Sequence, residues 1–149
     1  MDNRYNRHNR RKYSLKVHIV PVIKYHERIL FMKFHRVLLF TSIQMDITPV
    51  GDDLHVLLTC GGENRLGCTA FSTPLPDTDP VECETSVITD VENPEDLFCP
   101  YIAENLCKKT GQRVLCTGGI LVEEPDAHQI DKLYENIDEM IMDWVHFLD

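Results

Sequence analysis

The chain lacks any apolar run long enough to span a bilayer as a helix, which takes about 20 residues. Its greasiest stretch, "VHIVPVIKYHERILFMKFHRVLLF", is broken by Pro21, Lys24, Glu27, Arg28, Lys33 and Arg36. The basic start resembles a targeting peptide only in charge: "VHIVPVI" is a short apolar core, and no small-residue cleavage site follows it. Catalytic signatures are missing too. There is no G-x-G-x-x-G, no P-loop lysine, no serine elbow, no H-E-x-x-H and no pair of carboxylates set for acid–base work. The six cysteines, Cys60, Cys68, Cys83, Cys99, Cys107 and Cys116, form no C-x-x-C pair. Several sit inside apolar patterns, where a thiol acts as a small hydrophobe. A chain of this size makes its own core, so the expectation is reduced cysteines in an intracellular, cytoplasmic protein, without a disulfide framework.

Basic residues are scarce beyond the start. Residues 1–36 hold ten of the fifteen Lys and Arg against Asp2 and Glu27, a balance of +8. Residues 37–149 hold five against twenty-two acidic residues, a balance of −17. An acidic body repels phosphates, so neither nucleic acid nor a membrane is expected as its partner. The basic leader alone could serve as an arm for either, and deleting residues 1–31 would test that. Of the histidines, His18, His26 and His35 are too widely spaced for a zinc site, and His55 lies in an apolar strand pattern. No metal ligands are expected.

What is present is folding signal. Residues 1–14 are polar, basic and without period, and are expected to be disordered. Residues 15–33 fit neither period, and Pro21 interrupts any helix. The expectation is an N-terminal extension over 1–33, disordered or loosely attached, and one domain over 34–149. From Ile43 the pattern clears. Ile43, Met45 and Ile47 alternate with Gln44, Asp46 and Thr48, which is a strand with one wet face. "PVGDD" reads as a turn and "LHVLLTC" as the returning strand of a hairpin. "RLGCTAFST" and "VECETSVITDV" are two more strands, separated by the proline-rich loop "PLPDTDP".

"NPEDLFCPYIAENLCKKTG" then spells out a helix with its ends. Asn93 caps, Pro94 suits the first position, Glu95 and Asp96 complement the positive end, and Gly111 closes it. Pro100 is discordant, unless the main helix starts near it. "QRVLCTGGIL" is a strand that Gly118 and Gly119 end or bend. In "EEPDAHQIDKLYENIDEMIMDWVHFLD", Ile130, Leu133, Ile137, Met140 or Ile141, Trp144 and Leu148 form an apolar stripe at helical spacing. Strands, helix, strand, helix predicts an α+β fold: a mostly antiparallel sheet of five to six strands with two helices packed against it.

The region from about Phe34 onward resembles the proteasome assembly chaperone 4 family. That family has a helix ending in an "LA-x-R-LA-K-K/R-T" type run, a short turn and a hydrophobic strand. "IAENLCKKTGQRVLC" matches it, with Lys109, Thr110, Gln112 and Val114 in place. "SIQMDITPVGDDLHVLL" follows the family's upstream hairpin, with Asp52 and Leu54 in register, and "ETSVITDVENPED" resembles its strand leading into the helix. Residues 1–33 have no counterpart, and "PLPDTDPVEC" is longer than the usual connection. The resemblance implies a chaperone of 20S core-particle assembly, working in α-ring formation as a heterodimer with an assembly chaperone 3-like subunit. It implies contact with proteasome α-subunits, no cofactor and no catalysis. Asp77, Asp79, Glu82 and Glu84, near the long loop, are the expected protein-interface residues. Two alternatives stay open: a non-enzymatic adaptor or scaffold subunit of another complex, and an enzyme using Cys107 or Cys116.

Overall fold

Period-two alternation builds most of the molecule. In the computed structural model, which describes residues 15–24, 27–61, 66–89, 98–120, 122 and 124–148, seven strands and two helices follow one another. They are β1 (Leu15–Lys24), β2 (Glu27–Val37), β3 (Ser42–Val50), β4 (Asp53–Cys60), β5 (Cys68–Pro74), β6 (Cys83–Thr89), α1 (Phe98–Thr110), β7 (Val114–Gly118) and α2 (Ala127–Leu148). The sheet order is β1-β2-β3-β4-β7-β5-β6. Every neighbouring pair is antiparallel except β4 and β7, which run parallel. This is the expected α+β fold, with one or two strands more than the sequence suggested.

The extra strands lie in the N-terminal region. β1 and β2 form a hairpin, and β2 joins β3 with Met32 opposite Ile47 and Phe34 opposite Met45. The expected domain boundary after residue 33 therefore falls inside a strand. Met32 and Phe34 both lie in the core. Lys33 and Arg36 had obscured the alternation; Lys33 faces the other way, and Arg36 is buried for a reason given below. Residues 1–14 lie outside the described residues. The "PVGDD" turn is also shorter than expected. β3 runs on through Pro49 and Val50, and only Gly51 and Asp52 turn the chain.

One face of the sheet carries the core. Alternate residues Ile43, Met45 and Ile47 of β3, Leu54, Val56 and Leu58 of β4, Val114 and Cys116 of β7 and Cys68 and Ala70 of β5 are buried. Both helices cover that face. From α1 come Phe98, Cys99, Ile102, Ala103, Leu106 and Cys107; from α2 come Leu133, Ile137, Met140, Ile141 and Trp144. The stripe read from the last helix is thus the one it buries. Two features of its start are local. Asp126 accepts the N–H of Gln129 (2.8 Å) while Gln129 Oε1 accepts the N–H of Asp126 (3.0 Å). That reciprocal capping box, and not Pro125, opens the helix.

Pro100 sits in the first turn of α1, where its missing N–H has no helical acceptor to lose. Asn93, Pro94, Glu95 and Asp96 lie outside the described residues. Arg36, on β2, is 3% exposed. Its guanidinium bonds Asn136 Oδ1 at 3.2 Å, pairs with Glu139 and reaches Asp143 at 3.5 Å. A cation buried so deeply needs such partners, and they fasten α2 across β2.

Candidate protein-binding surface

The helix-to-strand joint at 107–114 sets the geometry of everything beside it. Gly111 takes φ +70°, and its N–H bonds Cys107 O at 2.8 Å, closing α1 in the left-handed cap. Thr110 Oγ1 donates to Leu106 O (2.6 Å) and accepts from Gln112 N–H (3.3 Å). Gln112 Nε2 reaches Asp52 O (2.9 Å), Arg113 N–H reaches Asp53 Oδ1 (3.3 Å), and Leu54 N–H bonds Arg113 O (3.0 Å). The joint is bolted to the β3–β4 turn, which places Val114 opposite Leu54. β7 is thereby inserted parallel to β4, between the two hairpins. At its end Gly118 has φ +115°, and a Cβ there would stand 2.0 Å from Leu58 O. The glycine ends the strand because the β4 backbone passes too close for any side chain.

Inserting β7 makes one continuous sheet whose second face no described helix covers. Register puts Lys33, Asp46, Leu57, Thr117, Thr69 and Ile88 in one row across six strands. Thr48, His55, Leu115, Phe71 and Ser86 form the next. Leu57, Leu115, Phe71 and Ile88 make an apolar stripe over β4, β7, β5 and β6, the outer two in the first row and the inner two in the second. Phe71 is 41% and Ile88 77% exposed. Threonines separate the apolar groups, and His55 Nε2 meets Thr117 Oγ1 at 3.2 Å.

The expected interface residues lie at one corner of this sheet. Asp77 and Asp79 are in the β5–β6 connection; Glu82 and Glu84 begin the edge strand β6; all four are exposed. The loop holds them in a defined shape. Leu75 N–H bonds Glu82 O (2.7 Å), and Thr78 Oγ1 donates to Leu75 O (3.1 Å) and accepts Glu82 N–H (3.0 Å). The open face was the part sequence reasoning named only generally. Its signal was the polar half of each alternation: Leu57, Leu115, Phe71 and Ile88 interrupt positions that Gln44, Asp46 and Thr48 fill elsewhere.

The cysteines are placed for packing. Cys68, Cys99 and Cys116 share hydrogen bonds between β5, α1 and β7, as do Cys83 and Cys107 between β6 and α1. Burial pushes the Cys68 thiol up to about 11, the Cys107 thiol up to about 12 and Cys116 well above its ordinary value. Hydrogen bonds from Cys116 and Cys68 hold Cys99 lower. Cys107 and Cys116 are both fully buried. A thiol kept neutral and away from solvent is a poor nucleophile, which counts against the enzymatic alternative at Cys107 and Cys116. Among the described residues, no cluster of His, Cys, Asp and Glu could hold a metal ion. No described helix is long and apolar enough to cross a membrane.

Comparison with known proteins gives this geometry a relative. Residues 40–149 match the prenylated flavin chaperone LpdD-like domain family. The chain belongs to that family. No curated protein matches it. Among solved structures, a chain from the crystal structure of a novel chaperone complex for yeast 20S proteasome assembly superposes with a TM-score of 0.56. Identity is 10%, with 89% of this chain and 96% of that chain covered. The LpdD-like chain described here thus shares the fold of a proteasome assembly chaperone, while its family carries a different chaperone description from the one the sequence resemblance had named.

That description invites a test for flavin. A groove of about 630 Å³ lies at the joint, lined by Gly51, Asp52, Lys109, Thr110, Gly111, Gln112 and Val145. Its lining has one apolar side chain and no aromatic one, so it offers no flat contact for an isoalloxazine. Its one cation, Lys109, is set against Asp52 and the negative C-terminal end of α1, so no net positive field is offered to a phosphate. These residues do not fit a flavin nucleotide.

Proposed function

We propose that the chain is a non-catalytic assembly chaperone that works by gripping other polypeptides. Its client, in this reading, is the 20S proteasome core particle during α-ring formation. It acts in the cytoplasm, with the nucleus as a second site, paired with a related small chaperone. The observation that carries the reading is the uncovered sheet face with its Leu57–Leu115–Phe71–Ile88 stripe. A face of that kind on a one-layer sheet is complementary to another sheet of the same shape. Face-to-face packing leaves the edge strands and the acidic corner accessible. Asp77, Asp79, Glu82 and Glu84 then steer encounter with basic patches on α-subunits. The grip needs no bound group, in keeping with the poor fit of the groove to flavin.

The family match favours a second reading, in which the client is an enzyme that carries a prenylated flavin. Both readings make the chain a holder of proteins, and they differ in what is held. Native co-purification with mass spectrometry separates them. Recovery of proteasome α-subunits together with a small α+β partner is the expected result. Recovery of a flavin-carrying enzyme without α-subunits would replace the client. Binding of free flavin mononucleotide to the isolated chain would overturn the misfit argued above.

A further inference from the structure

The geometry points to the free edge of β6 as the acceptor for an extended, basic segment of a partner polypeptide, which joins the sheet as an added strand. This deepens the chaperone reading and rests on it for the identity of the partner, but it uses a different surface from the open face. The phase of the edge comes from one bond. Leu75 N–H donates to Glu82 O, and these two residues lie in the same register as the β5–β6 ladder. In an antiparallel pair the bonded positions recur at every second residue. Glu84, Ser86 and Ile88 therefore turn their backbone groups toward β5. Cys83, Thr85, Val87 and Thr89 present theirs outward.

Beyond the two acids at its start, Glu82 and Glu84, nothing in the described structure blunts this edge. The β5–β6 register runs without a bulge from Cys68–Thr89 to Pro74–Cys83. No proline or lysine interrupts Cys83–Thr89. Val87, on the helix side, is 42% exposed and Ile88, on the open side, 77%. Edges that are meant to stay single are protected by proline, charge or a covering element. The opposite edge shows that protection: β1 pairs only with β2 and carries Pro21, which has no N–H to offer.

Charge selects the occupant. Glu82 and Glu84 are exposed at the start of the edge, with Asp77 and Asp79 in the ordered loop beside them. Lys108, at the end of α1, pairs with Glu104 at 3.0 Å and lies within electrostatic reach of Glu82, one cation against four acids. A strand with Lys or Arg on the open side, beside Glu82 and Glu84, and β-branched residues on the helix side, beside Val87, complements the edge. A second copy does not, because its own edge brings more acid and no base.

The test uses the full chain and a fluorescent peptide of about eight alternating Lys and Val residues, a length matched to the strand. A peptide with Glu in place of Lys and a Lys/Val peptide N-methylated at every residue serve as controls. The Lys/Val peptide binds, and neither control does. Val87→Pro removes one outward N–H without touching the β5 ladder and weakens binding about tenfold, while Val87→Ala leaves it nearly unchanged. Glu82→Gln with Glu84→Gln weakens binding and flattens its salt dependence. Phe71→Ser, on the open face, leaves peptide binding intact even where it abolishes pairing with another chaperone, so the two surfaces fail separately. The N-methylated peptide keeps the test decisive if Val87→Pro does not fold. Equal binding of that peptide, equal binding of the Glu peptide, or no binding of the Lys/Val peptide at low salt would each overturn the inference.

Discussion

Replacing Arg36 by Met should cost about 2–4 kcal/mol, because breaking a buried ion pair leaves its partners uncompensated. The structure sets where in that range the cost falls. Arg36 is 3% exposed and meets Asn136, Glu139 and Asp143 of α2. Asp143 is 17% exposed and loses its pairing with the guanidinium. Asn136 is buried at 1% and loses a donor to its Oδ1; an orphaned acceptor costs about 1–3 kcal/mol. Glu139, at 41%, can turn to water and contributes little. Met fills the same space, so no cavity is added. The assay is urea unfolding followed by Trp144 fluorescence, with the slope unchanged and the midpoint shifted. The double variant Arg36→Met with Asp143→Leu should recover more than half of the loss, since the stranded carboxylate is then gone. A single-variant cost below about 1 kcal/mol, or a double variant no better than the single, would show that Arg36 does not fasten α2 to β2.

Four further outcomes follow from the same structure. Gly118→Ala meets both a positive φ and the Leu58 carbonyl, and should cost about 2–4 kcal/mol in the same unfolding experiment; a loss under 1 would refute the close approach. Phe71→Ser should change stability by no more than about 1 kcal/mol yet abolish pairing with a partner chaperone, read by size-exclusion chromatography. Deleting residues 1–31 keeps Met32, Phe34 and Arg36 and should leave a folded protein by circular dichroism, whereas deleting 1–37 removes three buried residues and should not. Cys68 and Cys107 hold their protons to about 11 and 12 in the fold, chiefly through burial. Their stabilisation is therefore complete below the unfolded thiol value, about 8.5, and is lost as pH rises toward the folded values. The urea midpoint should fall between those limits, less steeply in Cys68→Ala/Cys107→Ala; an unchanged slope in that variant counts against the assignment.

Much of this architecture was legible because short-range rules carry it. Alternation at Ile43–Thr48, the stripe from Leu133 to Trp144 and the Gly111 closure each need only a few neighbouring residues, and each was read correctly. What failed depends on partners far along the chain. Arg36 reads as a break in an apolar pattern until Glu139 and Asp143, more than a hundred residues on, are brought beside it. The boundary after residue 33, drawn because 15–33 fit neither period and Pro21 interrupts them, cut β2 in two. Nothing local says that β7 inserts parallel to β4; that follows from bonds between Gln112, Arg113 and the Asp52–Asp53 turn. The acidic quartet was found by charge and loop composition. That Glu82 and Glu84 border a free edge, with Val87 and Ile88 exposed on its two faces, required the strand order.

The inserted strand also explains how a sheet face of this kind can be specific. Had β7 paired at an edge, the two hairpins would form separate small surfaces. Placed centrally, it aligns Leu57, Leu115, Phe71 and Ile88 across four strands. Leaving such a stripe in water invites association. Here its apolar groups are spaced by Thr48, Thr69 and Thr117, and the body carries −17. Threonine keeps the face wettable, and net charge opposes self-association. The surface is therefore apolar enough to hold a partner and polar enough to release one, which suits the chaperone role proposed above.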